Sequence, residues 1–242
     1  MTRALTRTNF HSSRLVRLLS DLTVLVPVEP GMAFAEKFSQ WMPLSDAITL
    51  RAAHNASPAG PAAGTPLAAR AALGEAFTRM RALWEKGITQ PDVPAPLLGE
   101  PLDVRAVYEP YRRYYLAHQR DMELQLRPWR TKVRNELAKA SPALRQLAAL
   151  DAALDGILAA RESKLFTTIP ALLEKRFAQL HKAHQQRLVD TDQTDHPDFW
   201  MKPGGWLARF GHELQTVLLA ELDLRLQPTQ GLLEAFHNEK TQ

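Results

Sequence analysis

DVRAVYEPYRRYYLAHQRDMELQLRPWRTKVRNELAKA, residues 103–140, decides the fold. Val104, Tyr108, Tyr111, Tyr115, His118, Met122, Leu126, Trp129, Val133 and Leu137 recur at steps of three and four. That spacing predicts one long amphipathic helix with a near-heptad, coiled-coil-like seam. Pro110 falls in its early turns, and Pro128 is expected to kink it. Ser141-Pro142 follows, an N-cap and a first helical residue, so a second helix begins at once. Leu147, Leu150, Leu154, Ile157 and Leu158 are its expected buried face, and the two segments form an antiparallel hairpin.

On a wheel of 100° per residue, Arg105, Arg112, Arg113, Arg120, Arg127, Arg130 and Arg134 share one flank of the first helix. They extend for about 45 Å at 1.5 Å per residue. Asp151, Asp155 and Glu162 occupy the matching flank of the second helix. An antiparallel turn at residues 140–141 is expected to set Arg130 against Asp151, Arg127 near Asp155 and Arg120 near Glu162. Arg105, Arg112 and Arg113 face no acid in that register. With Tyr114, which points off the apolar stripe, they are a candidate basic binding patch.

Outward from the hairpin the pattern stays helical. Ser12 or Ser13 caps a first helix to about Thr23, and Phe34, Phe38, Trp41 and Met42 mark a second. Ser45 or Asp46 caps a third through Ala53. SPAGPAAGTP, residues 57–66, and the proline-rich residues 90–101 are linkers. Between them runs a helix from Leu67 to Lys86 with Gly87 as its stop. After a break at Thr168-Ile169-Pro170, Leu173, Phe177, Leu180, His184 and Leu188 resume the pattern. A last long helix spans Trp206 to about Leu226, with a short tail helix beyond Pro228. The expected fold is an all-α helical bundle built around the long hairpin, with proline-rich linkers. Residues 1–55, 56–102, 103–190 and 191–242 are its segments, within one structural domain.

The bulk composition agrees. Apolar residues make up 45% and charged residues 23% of 242, which suits a packed core. No cysteine is present, so disulfides, thiolate metal sites and a cysteine nucleophile are excluded. The longest apolar runs fall far short of the ~20 residues that span a bilayer, and the arginine-rich start reads as a first helix rather than a transit peptide. A net charge of +4 and a pI near 9.5 favour an anionic partner only modestly.

No phosphate loop, GxSxG or HExxH appears. His181 and His184, with Glu174 nearby, have metal-capable spacing, but His118 and His184 sit on apolar stripes and read as core histidines, so neither metal nor cofactor is expected. The aspartates of residues 190–198 lack the glycine of a calcium loop, because Asp195 stands at its sixth position. Phe199, Trp200 and Trp206 form the most aromatic loop, either a plug over the bundle end or a partner anchor.

The stretches SRLVRLLSDLTVLVP and FAEKFSQWMPLSDAITLRAAHN resemble a proteobacterial family of unknown function, across roughly residues 13–55 and in the plan of a proline-rich spacer and long helices. The resemblance implies genes beside MotA/TolQ/ExbB-like and OmpA-like proteins, and hence an accessory of an envelope or motor-like assembly. It brings no catalytic motif. The expected function is a non-enzymatic, cytoplasmic scaffold or adaptor for a protein partner, acidic or membrane-assembly associated. The alternative is a nucleic-acid binder using the arginine flank.

Overall fold

The computed structural model describes residues 14–23, 43–55, 64–90 and 104–239. The helices are α1 (Arg14–Thr23), α2 (Leu44–Asn55), α3 (Leu67–Thr89), α4 (Val104–Ala140), α5 (Pro142–Phe166), α6 (Ile169–Thr191) and α7 (Trp206–Asn238). A 3₁₀ turn at Pro197–Phe199 precedes α7, and there is no strand among the described residues. The all-α bundle expected from the periodicity is what the chain forms. The helix expected over residues 34–42, and most of both linkers, lie outside the described residues.

The hairpin of α4 and α5 is present, joined through Ser141 alone. Ser141 Oγ accepts from Leu144 N at 3.2 Å, and Pro142 opens α5. The Ser141 hydroxyl also hydrogen-bonds the Glu239 carboxylate, which ties the hairpin turn to the end of α7. Tyr108, Tyr111, Tyr115, Met122, Leu126, Val133 and Leu137 are buried as the stripe predicts. His118 and Trp129 are half-buried, and Val104 is exposed.

Helix α4 packs on α7 as extensively as on α5. Fifteen residues of α7 are buried, more than in any other described helix, and α1, α3, α4, α5 and α6 all pack on it. The leucine face expected to be buried on α5 is therefore only half-covered. Leu144, Ala148 and Phe166 are its buried residues, while Leu147, Leu150, Leu154, Ile157 and Leu158 keep partial access. Helix α2 lies along α5 without burying a residue of its own.

Two predicted helix ends are also corrected. Helix α3 continues past Gly87, because Ile88 is fully buried and its carbonyl accepts from Tyr114 Oη at 2.9 Å and Gln215 Nε2 at 3.0 Å. Helix α7 continues through Pro228 to Asn238. A proline inside a helix removes one backbone hydrogen bond, but Leu226, Thr229, Leu232, Leu233 and Phe236 are buried on either side of it. Their packing outweighs that loss.

The end of α7 is held from outside. Arg70 of α3 is buried and donates from Nη1 to Phe236 O at 2.9 Å, with Nη2 3.3 Å from Glu239 and the guanidinium 4.9 Å from the Phe236 ring centroid. A cation on the last carbonyls of a helix satisfies orphan acceptors and complements the dipole. Gly74 of α3 lets the two helices come close there: a Cβ on it would lie 2.9 Å from the His237 ring.

Candidate functional site

The arginine flank of α4 divides into three parts. Arg130 and Arg134 turn inward onto α5. Arg130 meets Asp151 at 2.5 Å and Asp155 at 2.9 Å, and Arg134 meets the same two at 2.6 and 2.9 Å. The Arg130–Asp151 pair is as the wheel predicts. Arg127 does not pair with Asp155, because Arg130 and Arg134 each reach that carboxylate as well as Asp151, and Arg120 does not pair with Glu162. Two arginines at i, i+4 face two aspartates at i, i+4, and each planar guanidinium forks to both carboxylates.

At the N-terminal end, Arg112 and Arg113 lie 3.5 and 3.9 Å from Glu109, exposed contacts of little energetic weight. Tyr114 does not stand free beside them. It is half-buried, donates to Ile88 O and packs edge-on against His118 at 4.5 Å. Residues 105–114 thus offer two weakly paired arginines without an available tyrosine.

The middle of the flank is different. Arg120 and Arg127 are exposed and have no ion-pair partner among the described residues. They border an open groove of about 880 Å³ that includes Leu124, Pro128, Thr131 and Lys132. Leu124 is 61% exposed, a large apolar side chain beside Glu123 and between two arginines that make no ion pair, and Glu136 also lines the groove. Lys132 adds charge above the Trp129 ring at 5.0 Å, and Lys139 pairs with Glu136 at 2.7 Å.

The aromatic loop has one face inside and one outside. Trp200 and Trp206 are each 4% exposed, whereas Phe199 is 57% exposed under the Lys202 ammonium at 4.0 Å. Trp200 O accepts from Leu207 N and Ala208 N at 3.2 and 3.0 Å and so caps the start of α7. Gly205 makes this approach feasible: a Cβ there would sit 2.2 Å from Trp200 O. Beneath the loop, Tyr108, Tyr111, Phe177, Trp206 and Phe210 form a cluster with centroids 5.1–6.2 Å apart, mostly edge-to-face.

His181 and His184 join this cluster, whereas His118 packs on Tyr114. His184 stacks on Trp206 at 5.9 Å, and its Nε2 lies 3.0 Å from Asp195 Oδ1. The same oxygen accepts from Trp200 Nε1 at 2.8 Å, and Oδ2 accepts from Gln185 at 3.3 Å. Burial opposes ionisation of Asp195, yet the bonds from Trp200, His184 and Gln185 hold it below its ordinary value. His181, edge-on to Trp206 at 5.3 Å, is lowered by burial and by the neighbouring His184. A cavity of about 260 Å³ opens between Val104, Val107, His181, Asp195, Trp200 and Trp206. Asp195 is the residue that joins the singled-out histidines and tryptophans. A calcium-loop template drew attention to it for the wrong reason.

A second cluster went unseen in the sequence. Glu221 of α7 is fully buried and accepts from Arg225 at 2.7 and 2.9 Å and from Gln119 Nε2 at 3.2 and 3.3 Å. The Tyr115 hydroxyl donates a short hydrogen bond to it. The Arg225 guanidinium lies 3.9 Å over the Phe166 ring, and Gln119 also donates to Phe166 O at 3.1 Å. Glu221 and Arg225 at i, i+4 within an apolar run were the available signal.

The titratable groups make stability depend on pH in one direction. His118 and His181 are both lowered from 6.5, chiefly by burial. A base whose folded value is lowered contributes stability that is complete above its unfolded value and is lost as pH falls through 6.5 toward the folded one. For Glu213, burial opposes ionisation, but Arg176 and Arg209 bonds hold it below 4.5, so its contribution is lost at still lower pH. The thermal midpoint, followed by circular dichroism, is expected to be flat above neutrality and to fall in two stages on acidification. His118→Phe reduces the first stage and leaves the part that His181 contributes.

An all-helical bundle, stitched by inward-turned ion pairs and carrying a basic outer face and an aromatic cavity, is the class that these features define. No helix among the described residues is long and apolar enough to cross a membrane. The chain belongs to the family described as Protein of unknown function (DUF3348), whose profile matches residues 1–238. No curated protein and no solved structure matches it.

Proposed function

We propose that the protein is a non-enzymatic helical adaptor that docks an acidic, leucine-bearing segment of a protein partner on the outer face of α4. The observation that carries this reading is the exposed Leu124 between Arg120 and Arg127. Arg130 and Arg134 of the same helix are neutralised from within, whereas these two cations are left to solvent beside a groove. An apolar anchor with a charged rim is how partner helices are recognised in grooves. The resemblance of residues 13–55 supports a proteobacterial setting, with the partner in an envelope or motor-like assembly and the adaptor on its cytoplasmic side.

A photo-crosslinking residue at position 124, introduced in the native cell, is expected to capture one dominant protein. The double reversal Arg120→Glu, Arg127→Glu should lower capture about tenfold, equivalent to ~1.4 kcal/mol. Unfolding stability should move by less than ~0.5 kcal/mol, as at other exposed sites. Capture unaffected by the reversal would sink this face as the docking site. Nucleic acid is the alternative that the same cations serve. Arg120, Arg127 and Lys132 together imply a salt slope of only about −3 on duplex DNA. Nanomolar, sequence-dependent binding in fluorescence anisotropy at physiological salt, lost in the double reversal, would replace the adaptor reading.

A further inference from the structure

Helix α2 is attached to the bundle without being part of its core. Asp46, Ala47, Leu50 and Ala53 share one face and are half-buried, and every other residue of the helix is exposed. Leu50 is the one large apolar side chain among the four. Asp46 accepts from Ser45 of its own helix at 3.4 Å. Leu44 and Ile48 turn outward, 77% and 59% exposed. A 12-residue helix is marginal alone in water, so tertiary burial must hold it, and here that burial is small.

Its seat is a particular side of α5. On a wheel of 100° per residue, Leu144, Ala148, Asp151 and Asp155 lie within about 40° of one direction, the side whose aspartates meet α4. Gln146, Leu150, Leu154 and Ile157 lie roughly 80–160° round from Leu144, at helical spacing. Gln146 Nε2 donates to the His54 carbonyl of α2 and so marks this second side as the one on which α2 lies. Leu147 packs against the buried core, whereas Leu150, Leu154 and Ile157 are half-buried without belonging to it. The cover on these three comes from the side where α2 is seated.

Segments with few buried apolar contacts open at the low end of a protein's stability range, ahead of the core. Helix α7, with fifteen buried residues, stands at the other end. The chain also gives α2 room to depart. Residues 56–66 separate it from α3, and at roughly 3.3 Å per residue they can reach about 36 Å. Residues 24–43 separate it from α1 on the other side. Leaving α5 therefore requires no movement of Arg70 or of the α7 end that it holds.

We propose that α2 is a reversible strap. It leaves α5 as a unit while α3 to α7 stay packed, and its departure uncovers the apolar strip formed by Leu150, Leu154 and Ile157. The occupant of that strip in the closed protein is α2 of the same chain, which thereby gates access to it. The strap does not rest on the α4 docking face, which uses other residues.

The test combines amide hydrogen exchange and thiol labelling on the full chain. Amides of α2 are expected to exchange at least about 100-fold faster than those of α7 under native conditions. Because the chain has no cysteine, Leu154→Cys places a single reporter thiol on the strip. Ile157→Cys serves in its place should that variant not fold. Iodoacetamide should label the thiol at a rate set by the opening of α2. Adding Leu50→Ala, which removes the one large inward side chain, should raise that rate about fivefold. It should leave the protection of α7 unchanged. Ile48→Ala, on the outward face, should change the labelling rate by less than about twofold. Protection of α2 equal to that of α7 would overturn the strap, as would labelling that Leu50→Ala does not accelerate or that Ile48→Ala accelerates as much. Protection of α2 that falls on dilution would also overturn it, since the occupant would then be α2 of a second copy.

Discussion

Arg225→Met is expected to lower the unfolding free energy by about 3–5 kcal/mol, the cost of leaving a buried charge without its counterion. Glu221 has no access to water, and Arg225 supplies its ion pair through two nitrogens. Tyr115 and Gln119 remain as donors in the variant, but neither carries positive charge. The effect therefore comes from the stranded carboxylate rather than from lost methylene packing. Adding Glu221→Leu in the same chain should recover most of the loss, since an apolar pair of similar size removes the charge that needed neutralising. Chemical denaturation followed by circular dichroism measures both. A single-variant cost below ~1 kcal/mol, or a double variant no better than the single, would show that the cluster is not an ionic constraint on the core.

Asp151→Ala is the second large effect, at about 2–3 kcal/mol. Arg130 and Arg134 both lean on Asp151, and their side chains are 14% and 13% exposed. Removing it leaves two cations sharing Asp155, which is 27% exposed. The residual water access places the cost below that of a fully buried pair. Arg120→Ala, on the same flank with its cation in solvent, should cost less than ~0.5 kcal/mol. The same denaturation measurement on both variants checks the contrast. Equal costs would mean that the inward turn of the flank contributes nothing.

These two clusters mark where the sequence could and could not be read. The α4 stripe and the Ser141-Pro142 turn were legible because each is local: periodicity reports a buried face, and an N-cap followed by proline reports a helix start. Arg130–Asp151 followed from the turn position. Arg127 was misassigned because a wheel gives the angle of a side chain, not its reach, and a guanidinium can span a full helical turn. The central position of α7 was not legible. Its apolar residues surround Glu221 and Arg225, and a one-dimensional pattern cannot say that two charges cancel inside the core. Pro228 marked a plausible end, overridden by packing from helices far away in sequence. At the cavity, the tryptophans and histidines were singled out separately. Asp195 was not assigned to them, because a 3₁₀ turn rather than any repeat brings it onto His184 and Trp200.

Helix α7 follows in the chain every helix it packs against. On the ribosome, the seams of α1, α3, α4 and α6 must therefore wait for the 33 residues of Trp206–Asn238. At roughly 5–20 residues per second, that segment takes about 2–7 s to synthesise. For that interval Tyr111, Tyr115, Met122 and Leu137 have no permanent cover, and the nascent chain offers a long apolar strip to chaperones or to neighbouring chains. The Glu221–Arg225 pair suits such a late arrival. Carried on one helix at i, i+4, it stays hydrated until docking and then admits one alignment, with Glu221 under Tyr115 and Arg225 over Phe166.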